Sequence, residues 1–345
     1  MNIKSQIEIK ELSIGYGKGK KRKVVLDSIN LSAPTGKTIA LVGANGKGKS
    51  TLLKTIAGLL TPLSGAIYFD DIETHKINRS EKAKLISYVG TSHEVNKTLK
   101  VRDLVALGRF PHTGIFGSLT ENDIEMIHRA MVDTKTLHLR DAPVGEISDG
   151  ECQRVLIARS LAQNTPIILL DEPTAYLDIG NKFEMVELMR RLSRTRNKTI
   201  IFSSHDLPTV LGTADYMWLI HKKKIINAIP EELVMTHFLD TIFENSNVIF
   251  DLDNNEFKVN TKPSRFVKLS GKPYLCRWTE KALNRFGIGH NSGATKIEIS
   301  IETLQDSLYW EVKEDSKVSK FDNMETMLDY VIAKSTIDDT MSTAP

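Results

Sequence analysis

The chain has 345 residues, with 46 Lys and Arg against 43 Asp and Glu, for a formal net charge of +3. That length suits one large domain with an appendage, and so small a charge does not demand a nucleic-acid partner. Apolar residues make up 41% and charged residues 26%, ordinary values for a globular protein. No apolar run approaches the ~18 residues that span a bilayer, and the opening residues lack the apolar stretch of a secretory signal. Cys152 and Cys276 are too few and too far apart for a disulfide framework or a zinc cluster. Both are expected as inert packing residues of a cytosolic, reduced chain. A protein of this kind that serves a membrane would do so from the inner face, through another protein.

In chain order, Ile7, Ile9, Leu12 and Ile14 alternate with polar residues at strand-like spacing, and residues 24–31 read as a second strand. Residues 17–23 would turn between them. The basic run at 18–23 suits a solvated turn better than contact with anionic lipid or nucleic acid. Residues 38–43 are almost wholly apolar, as a buried parallel strand requires, and lead through a glycine-rich turn into a helix over 50–60. A strand is expected at 66–69. A helix is expected over 120–139, with Thr120 and Asp123 placed as a capping pair. Helices over 151–163 and 181–194 and buried strands over 166–171 and 198–204 follow, then a hairpin over 215–226. Strands alternating with helices after an antiparallel ribbon indicate an α/β parallel-sheet core. The pattern changes beyond about residue 245, which sets domains at 1–245 and 246–345. In the second, strand-like alternation at 265–269, 296–301 and 308–312 and helical spacing at 279–286 and 323–333 predict a small α+β module. Trp278 and Trp310 suit its core better than a ligand pocket.

Gly43, Ala44, Asn45, Gly46, Lys47, Gly48, Lys49 and Ser50 fit G-x-x-x-x-G-K-[ST], between a buried strand and a helix. Glycines let the backbone turn tightly so that several N–H groups face one point, and the helix N-terminus adds its dipole. Lys49 would meet β- and γ-phosphates and the Ser50 hydroxyl would ligate Mg²⁺, with Thr51 next in the helix. The apolar strand at 167–170 delivers Asp171 and Glu172 to its C-terminal end, where open α/β sheets bind ligands. Asp171 is suited to hold Mg²⁺ directly or through water, and Glu172 to polarise an attacking water.

Further motifs complete a family pattern. Ile147, Ser148, Asp149, Gly150, Glu151, Cys152, Gln153 and Arg154 resemble the ABC signature L-S-G-G-Q-x-Q-R and precede the Asp-Glu strand at the usual interval. Residues 175–178, ending at Asp178, look like the family's D-loop, His205 like its switch histidine, and Tyr16 like its adenine-stacking aromatic. The resemblance covers roughly residues 5–240. It implies the ABC ATPase form of the P-loop NTPase fold: a RecA-like core, an antiparallel β subdomain and a helical signature subdomain. It further implies a homodimer of nucleotide-binding subunits in which ATP lies between one copy's phosphate loop and the other's signature. Ser148 and Gly150 open a helix and offer a hydroxyl, backbone donors and a positive dipole end to a neighbour's γ-phosphate.

Residues 101–114 look like the subgroup that energises uptake of iron–siderophore chelates, haem or vitamin B12. That resemblance implies an integral membrane permease, indirectly a solute-binding protein, and a peripheral place on the cytoplasmic face of the inner membrane. The rival readings are a soluble ABC protein acting on ribosomes or DNA and a low-turnover nucleotide-dependent regulator. Three residues depart from the family pattern. Thr91 stands where a glutamine is usual, which bears on coupling to the permease. Asp149 replaces a glycine, so either its side chain points away or the closed dimer is weakened, and Glu151 replaces a glutamine. The C-terminal module would serve regulation, dimer stabilisation or docking.

Overall fold

The computed structural model describes residues 5–17, 21–90, 96–114, 117–175, 177–239, 248–251, 256–259, 263–291, 293, 295–304 and 307–341. The chain divides into two compact units, residues 1–242 and 243–345.

In the first unit, β1 (Ser5–Tyr16) and β2 (Lys23–Pro34) form an antiparallel ribbon. β3 (Thr38–Val42) is buried at every position and leads into α1 (Lys49–Ile56). β4 (Ser64–Phe69) and β5 (Ile72–Glu73) extend the ribbon into a four-stranded sheet of order β2-β1-β4-β5. Next come α2 (Arg79–Leu85), β6 (Ile86–Val89), α3 (Val101–Ala106), α4 (Glu121–Asp133) and α5 (Asp149–Ala162). The unit continues with β7 (Ile167–Leu170), α6 (Ile179–Arg196), β8 (Thr199–Ser204), α7 (Leu207–Leu211), β9 (Tyr216–His221), β10 (Lys224–Ala228) and α8 (Pro230–Met235). The second sheet has the order β10-β9-β3-β8-β7-β6, and all its neighbours are parallel except the β9–β10 hairpin. β7 and β8, like β3, are buried throughout, which is why these strands read as unbroken apolar runs. Ile7, Leu12 and Leu26 of the ribbon, Leu52 of α1, and Ile39, Leu169, Ile201 and Trp218 of the parallel sheet belong to one core.

Helix α4 ends six residues before the sequence expectation. The Thr134 hydroxyl donates back to the Ala130 carbonyl at 2.9 Å, and Lys135 then adopts φ 57, a left-handed conformation that stops the helix. At its other end the capping pair is present, with Thr120 and Asp123 bonded reciprocally. Asp123 also accepts from Arg109 Nε at 2.8 Å, and Arg109 Nη1 donates to the Ala162 carbonyl at 2.7 Å. This buried pair ties α4 and the preceding turn to the end of α5. Helix α6 starts two residues earlier than the apolar spacing suggests, because Asp178 caps it.

In the second unit, β11 (Val248–Asp251) and β12 (Glu256–Val259) form a hairpin. β13 (Arg265–Gly271), α9 (Pro273–Asn284), β14 (Ile288–His290), β15 (Ile297–Leu304), β16 (Ser307–Glu314), β17 (Lys317–Phe321) and α10 (Met324–Met341) follow. The five-stranded sheet has the order β14-β13-β15-β16-β17. Val267, Leu283, Ile299, Val312, Met327 and Val331 are in its core. Trp310 is buried there and donates its Nε1 proton to Thr279 Oγ1 at 3.0 Å. Trp278, read from sequence as a core residue, is instead 60% exposed, with Lys281 Nζ 4.7 Å from its ring centre. The two tryptophans fall on opposite sides of the burial boundary because α9 turns only one face to the sheet. Cys152 is buried and Cys276 half-buried, and burial pushes both thiols up. Among the described residues, no helix is long and apolar enough to cross a membrane.

Candidate nucleotide site

β8 lies between β3 and β7, with Val42 paired to Ser204 and Leu170 to Phe202. The glycine turn after β3, the acidic pair after β7 and His205 after β8 therefore leave the same edge of the sheet. Carboxyl ends of parallel strands are where such sheets bind ligands.

Gly46 and Gly48 have φ of 75 and 104, a region that L side chains rarely occupy. At Gly48 there is a second reason for glycine, since a Cβ would lie 2.5 Å from Val25 Cγ1. Gly48 caps α1 without any side-chain bond, and the first turn of α1 holds no acidic residue. Its first N–H groups are thus left for an outside acceptor. Ala44, Asn45, Gly46 and Lys47 are exposed, and the Lys47 N–H donates to the Ala44 carbonyl at 3.3 Å. Lys49 is only 5% exposed; its Nζ donates to the Gly43 carbonyl at 2.7 Å and to Asn45 Oδ1 at 3.4 Å. Burial pushes the Lys49 ammonium below its ordinary value, while Glu172 and Asp171 pull the other way. A cavity of about 730 Å³ opens here. Tyr16, Lys23 and Val25 of the ribbon line it, with Asn45, Gly46 and residues 48–51 of the loop and Glu172. Tyr16 is half exposed, and its hydroxyl shares a 2.7 Å hydrogen bond with Thr51 Oγ1.

Asp171 is buried, and each of its carboxylate oxygens has a donor: Ser203 Oγ at 2.7 Å and the Tyr88 hydroxyl at 3.2 Å. Burial, then Asp171 itself, push the Tyr88 hydroxyl well up, so that it stays protonated and donating. Glu172 has φ 52, a left-handed conformation costly for a residue with a side chain. Its N–H donates to Ser203 Oγ at 2.8 Å, so one serine holds both acidic residues. The Glu172 carboxylate lies 3.8 Å from Lys49 Nζ and 3.7 Å from His205 Nδ1. The site thus brings together the loop, Asp171, Glu172, His205 and Tyr16. Thr91 lies outside the described residues, as do Lys18 and Lys20 of the basic run.

Ser148, Gly150, Gln153 and Asp178 are not among the residues lining that cavity. Ser148 is the exposed N-cap of α5. Its N–H and its hydroxyl donate to the same Glu151 oxygen at 2.9 and 2.8 Å, and the Glu151 N–H returns a bond to Ser148 Oγ at 3.3 Å. These bonds hold the Glu151 carboxyl below its ordinary range, the backbone one most strongly. Asp149 is exposed, whereas Gln153 is buried at 5% exposure. Gly150 is buried, and a Cβ there would stand 3.3 Å from Asn181 Cγ. Asn181 donates from its N–H and Nδ2 to Asp178 at 2.8 and 3.0 Å and accepts from Arg154 Nη1 at 3.2 Å. It therefore joins the start of α6 to α5.

Sequence reasoning missed Asn181, Ser203 and Tyr88. Ser203 could have been found by setting the strands ending at Asp171 and Ser204 side by side in parallel, which places it beside Asp171. No local signal marks the other two.

A parallel sheet with a glycine-rich loop, a buried lysine and two carboxylates at one edge defines a phosphate-loop NTPase. Residues 26–175 match the ABC transporter family, and residues 264–331 match the iron ABC transporter C-terminal domain family. The achromobactin transport ATP-binding protein CbrD of Dickeya dadantii is 35% identical over 238 residues, covering 69% of this chain and 87% of that protein. The iron(3+)-hydroxamate import ATP-binding protein FhuC of Bacillus subtilis is 34% identical over 254 residues, covering 73% of this chain and 93% of that protein. The dimeric cassette MJ0796, a bacterial ABC transporter cassette, aligns with a TM-score of 0.58 at 25% identity, over 65% of this chain and 98% of its own. The chain belongs to the ABC transporter ATP-binding proteins and is an ATPase.

Proposed function

We propose that this chain is the ATP-hydrolysing subunit of an importer for an iron chelate, with haem and cobalamin as the other candidate solutes. It would work as a homodimer on the cytoplasmic face beneath a separate membrane permease. The observation that carries this reading is the pairing of an ABC transporter match with an iron ABC transporter C-terminal match on one chain. The names of CbrD and FhuC, an achromobactin and an iron-hydroxamate system, point the same way.

The site's chemistry suits ATP with Mg²⁺. The uncapped start of α1 and the cradle at Gly46 and Gly48 fit phosphate oxygens, and Lys49 can exchange its carbonyl partner for them. Ser50 and Asp171 offer the hard oxygen donors that Mg²⁺ takes. Bound there, Mg²⁺ would neutralise charge on the β- and γ-oxygens. Ser203 fixes Asp171 and the Glu172 backbone, and the Glu172 carboxylate, between Lys49 and His205, would orient and deprotonate water. His205, 3.7 Å from that carboxylate, is placed to sense the γ-phosphate. Tyr16 would cover the base. Ser148 and Gly150, outside this cavity, would meet the nucleotide of the second copy, with Asp178 and Gln153 supporting that face.

Affinity capture of the chain from membranes, followed by uptake assays with ferric siderophores, haem and cobalamin, tests this. Co-purification of a polytopic protein and uptake of a ferric chelate is the expected result. Hydrolysis without any membrane partner would overturn the importer assignment, and uptake of an unrelated solute the iron-chelate assignment, while either leaves the ATPase intact.

A further inference from the structure

Ser148 caps α5 through a reciprocal pair with Glu151, a box that glutamine forms as readily as glutamate. Glutamate adds something glutamine does not: a full negative charge 2.8 Å from the hydroxyl that has to donate to phosphate. Asp149 adds a second carboxylate in the same turn, and both oppose the positive end of the helix. Arg154 and His138 attract the Glu151 carboxylate and offset its charge only in part. His138 Nε2 stands 4.0 Å from Glu151, and its side chain is 68% exposed. Arg154, one turn further on, gives its Nη1 to Asn181 and Glu184.

We infer that Glu151, seconded by Asp149, is an electrostatic brake on dimer closure that raises the ATP concentration at which two copies close. The inference rests on the reading that Ser148 meets the partner copy's nucleotide. The Ser148 hydroxyl must leave Glu151 to reach a phosphate, and the phosphate must approach a carboxylate. Glu151 is a positioning and tuning residue in this account, not a catalytic one.

The test uses the full chain carrying Glu172→Gln, which slows hydrolysis, and follows dimer formation by sedimentation as Mg-ATP is raised. Adding Glu151→Gln should lower the ATP concentration at half-dimerisation about tenfold, the size of one partly screened charge contact. ADP affinity should stay where it is, because ADP has no γ-phosphate, and the thermal midpoint should fall only slightly, because glutamine keeps the cap and loses only its charge assistance. With Glu172 intact, Glu151→Gln should lower KM for ATP more than it changes kcat. Asp149→Asn should shift half-dimerisation the same way by less, and it carries the test if glutamine disturbs folding. An unchanged or higher ATP requirement in both variants overturns the brake. If Glu172→Gln alone forms no dimer at any ATP concentration, the shared-seam reading falls, and the brake with it.

Discussion

Helix α1 begins at Gly48 with no side chain capping its first N–H groups and no acidic residue in its first turn, whereas α5 begins at Ser148 with a complete cap and two carboxylates in place. On the proposed reading both starts serve the same phosphate chain, yet one is left open and the other is closed on itself. An open start can bind an anion at any time, because nothing has to be displaced. A closed start has to exchange an internal bond for an external one, which makes it the conditional partner. Helix α4 supplies an internal control. Its Thr120–Asp123 box repeats the geometry of Ser148–Glu151, but there the carboxylate is buried against Arg109.

The largest effects are expected at the open start and at the acidic residue beside it. Lys49→Ala removes the buried cation between Gly43, Asn45 and Glu172 and should weaken ATP binding by about a hundredfold or more, measured by titration with a fluorescent nucleotide. Near-native affinity would break the assignment of the open start. Glu172→Gln should keep binding while cutting steady-state phosphate release by about a hundredfold to ten-thousandfold.

The control helix comes next. Asp123→Asn strips Arg109 of its carboxylate and should cost about 3 kcal/mol in denaturant unfolding, with ATP affinity unchanged. The same carboxyl has a pH signature. Bonds from Thr120, then Arg109, hold it at about 2 against an ordinary 3.8. Its contribution is therefore complete above pH 4 and lost as pH falls from there toward 2, a loss that Asp123→Asn should not show. Smallest is Thr120→Ala, at about 1 kcal/mol of stability and no change in turnover. Ser148→Ala should match it in stability but lose turnover as well. Equal behaviour of the two caps would erase the difference between α4 and α5.

The loop and the acidic pair were legible in sequence because their residues are contiguous: Gly43 to Ser50 in one run, Asp171 and Glu172 in another. The buried strands were equally plain, since two covered faces leave no polar alternation. Ser203, Tyr88 and Asn181 were not legible, because each acts through a neighbour supplied by strand register or helix packing. Helix ends shifted where a side chain intervened, as Thr134 does at α4 and Asp178 at α6. In the second unit, alternation located the strands and helices, but it could not tell the buried Trp310 from the exposed Trp278, whose face depends on how α9 is rotated.

On the proposed reading each working site is assembled from two copies, the open helix start of one and the closed start of the other. This is tested most directly by mixing two inactive chains, one carrying Lys49→Ala and the other Ser148→Arg, and measuring ATP hydrolysis. Mixed dimers contain one seam with an intact loop and an intact signature, so turnover should reappear on mixing. If the mixture stays as inactive as either chain alone, although the two copies do associate, the shared site is contradicted.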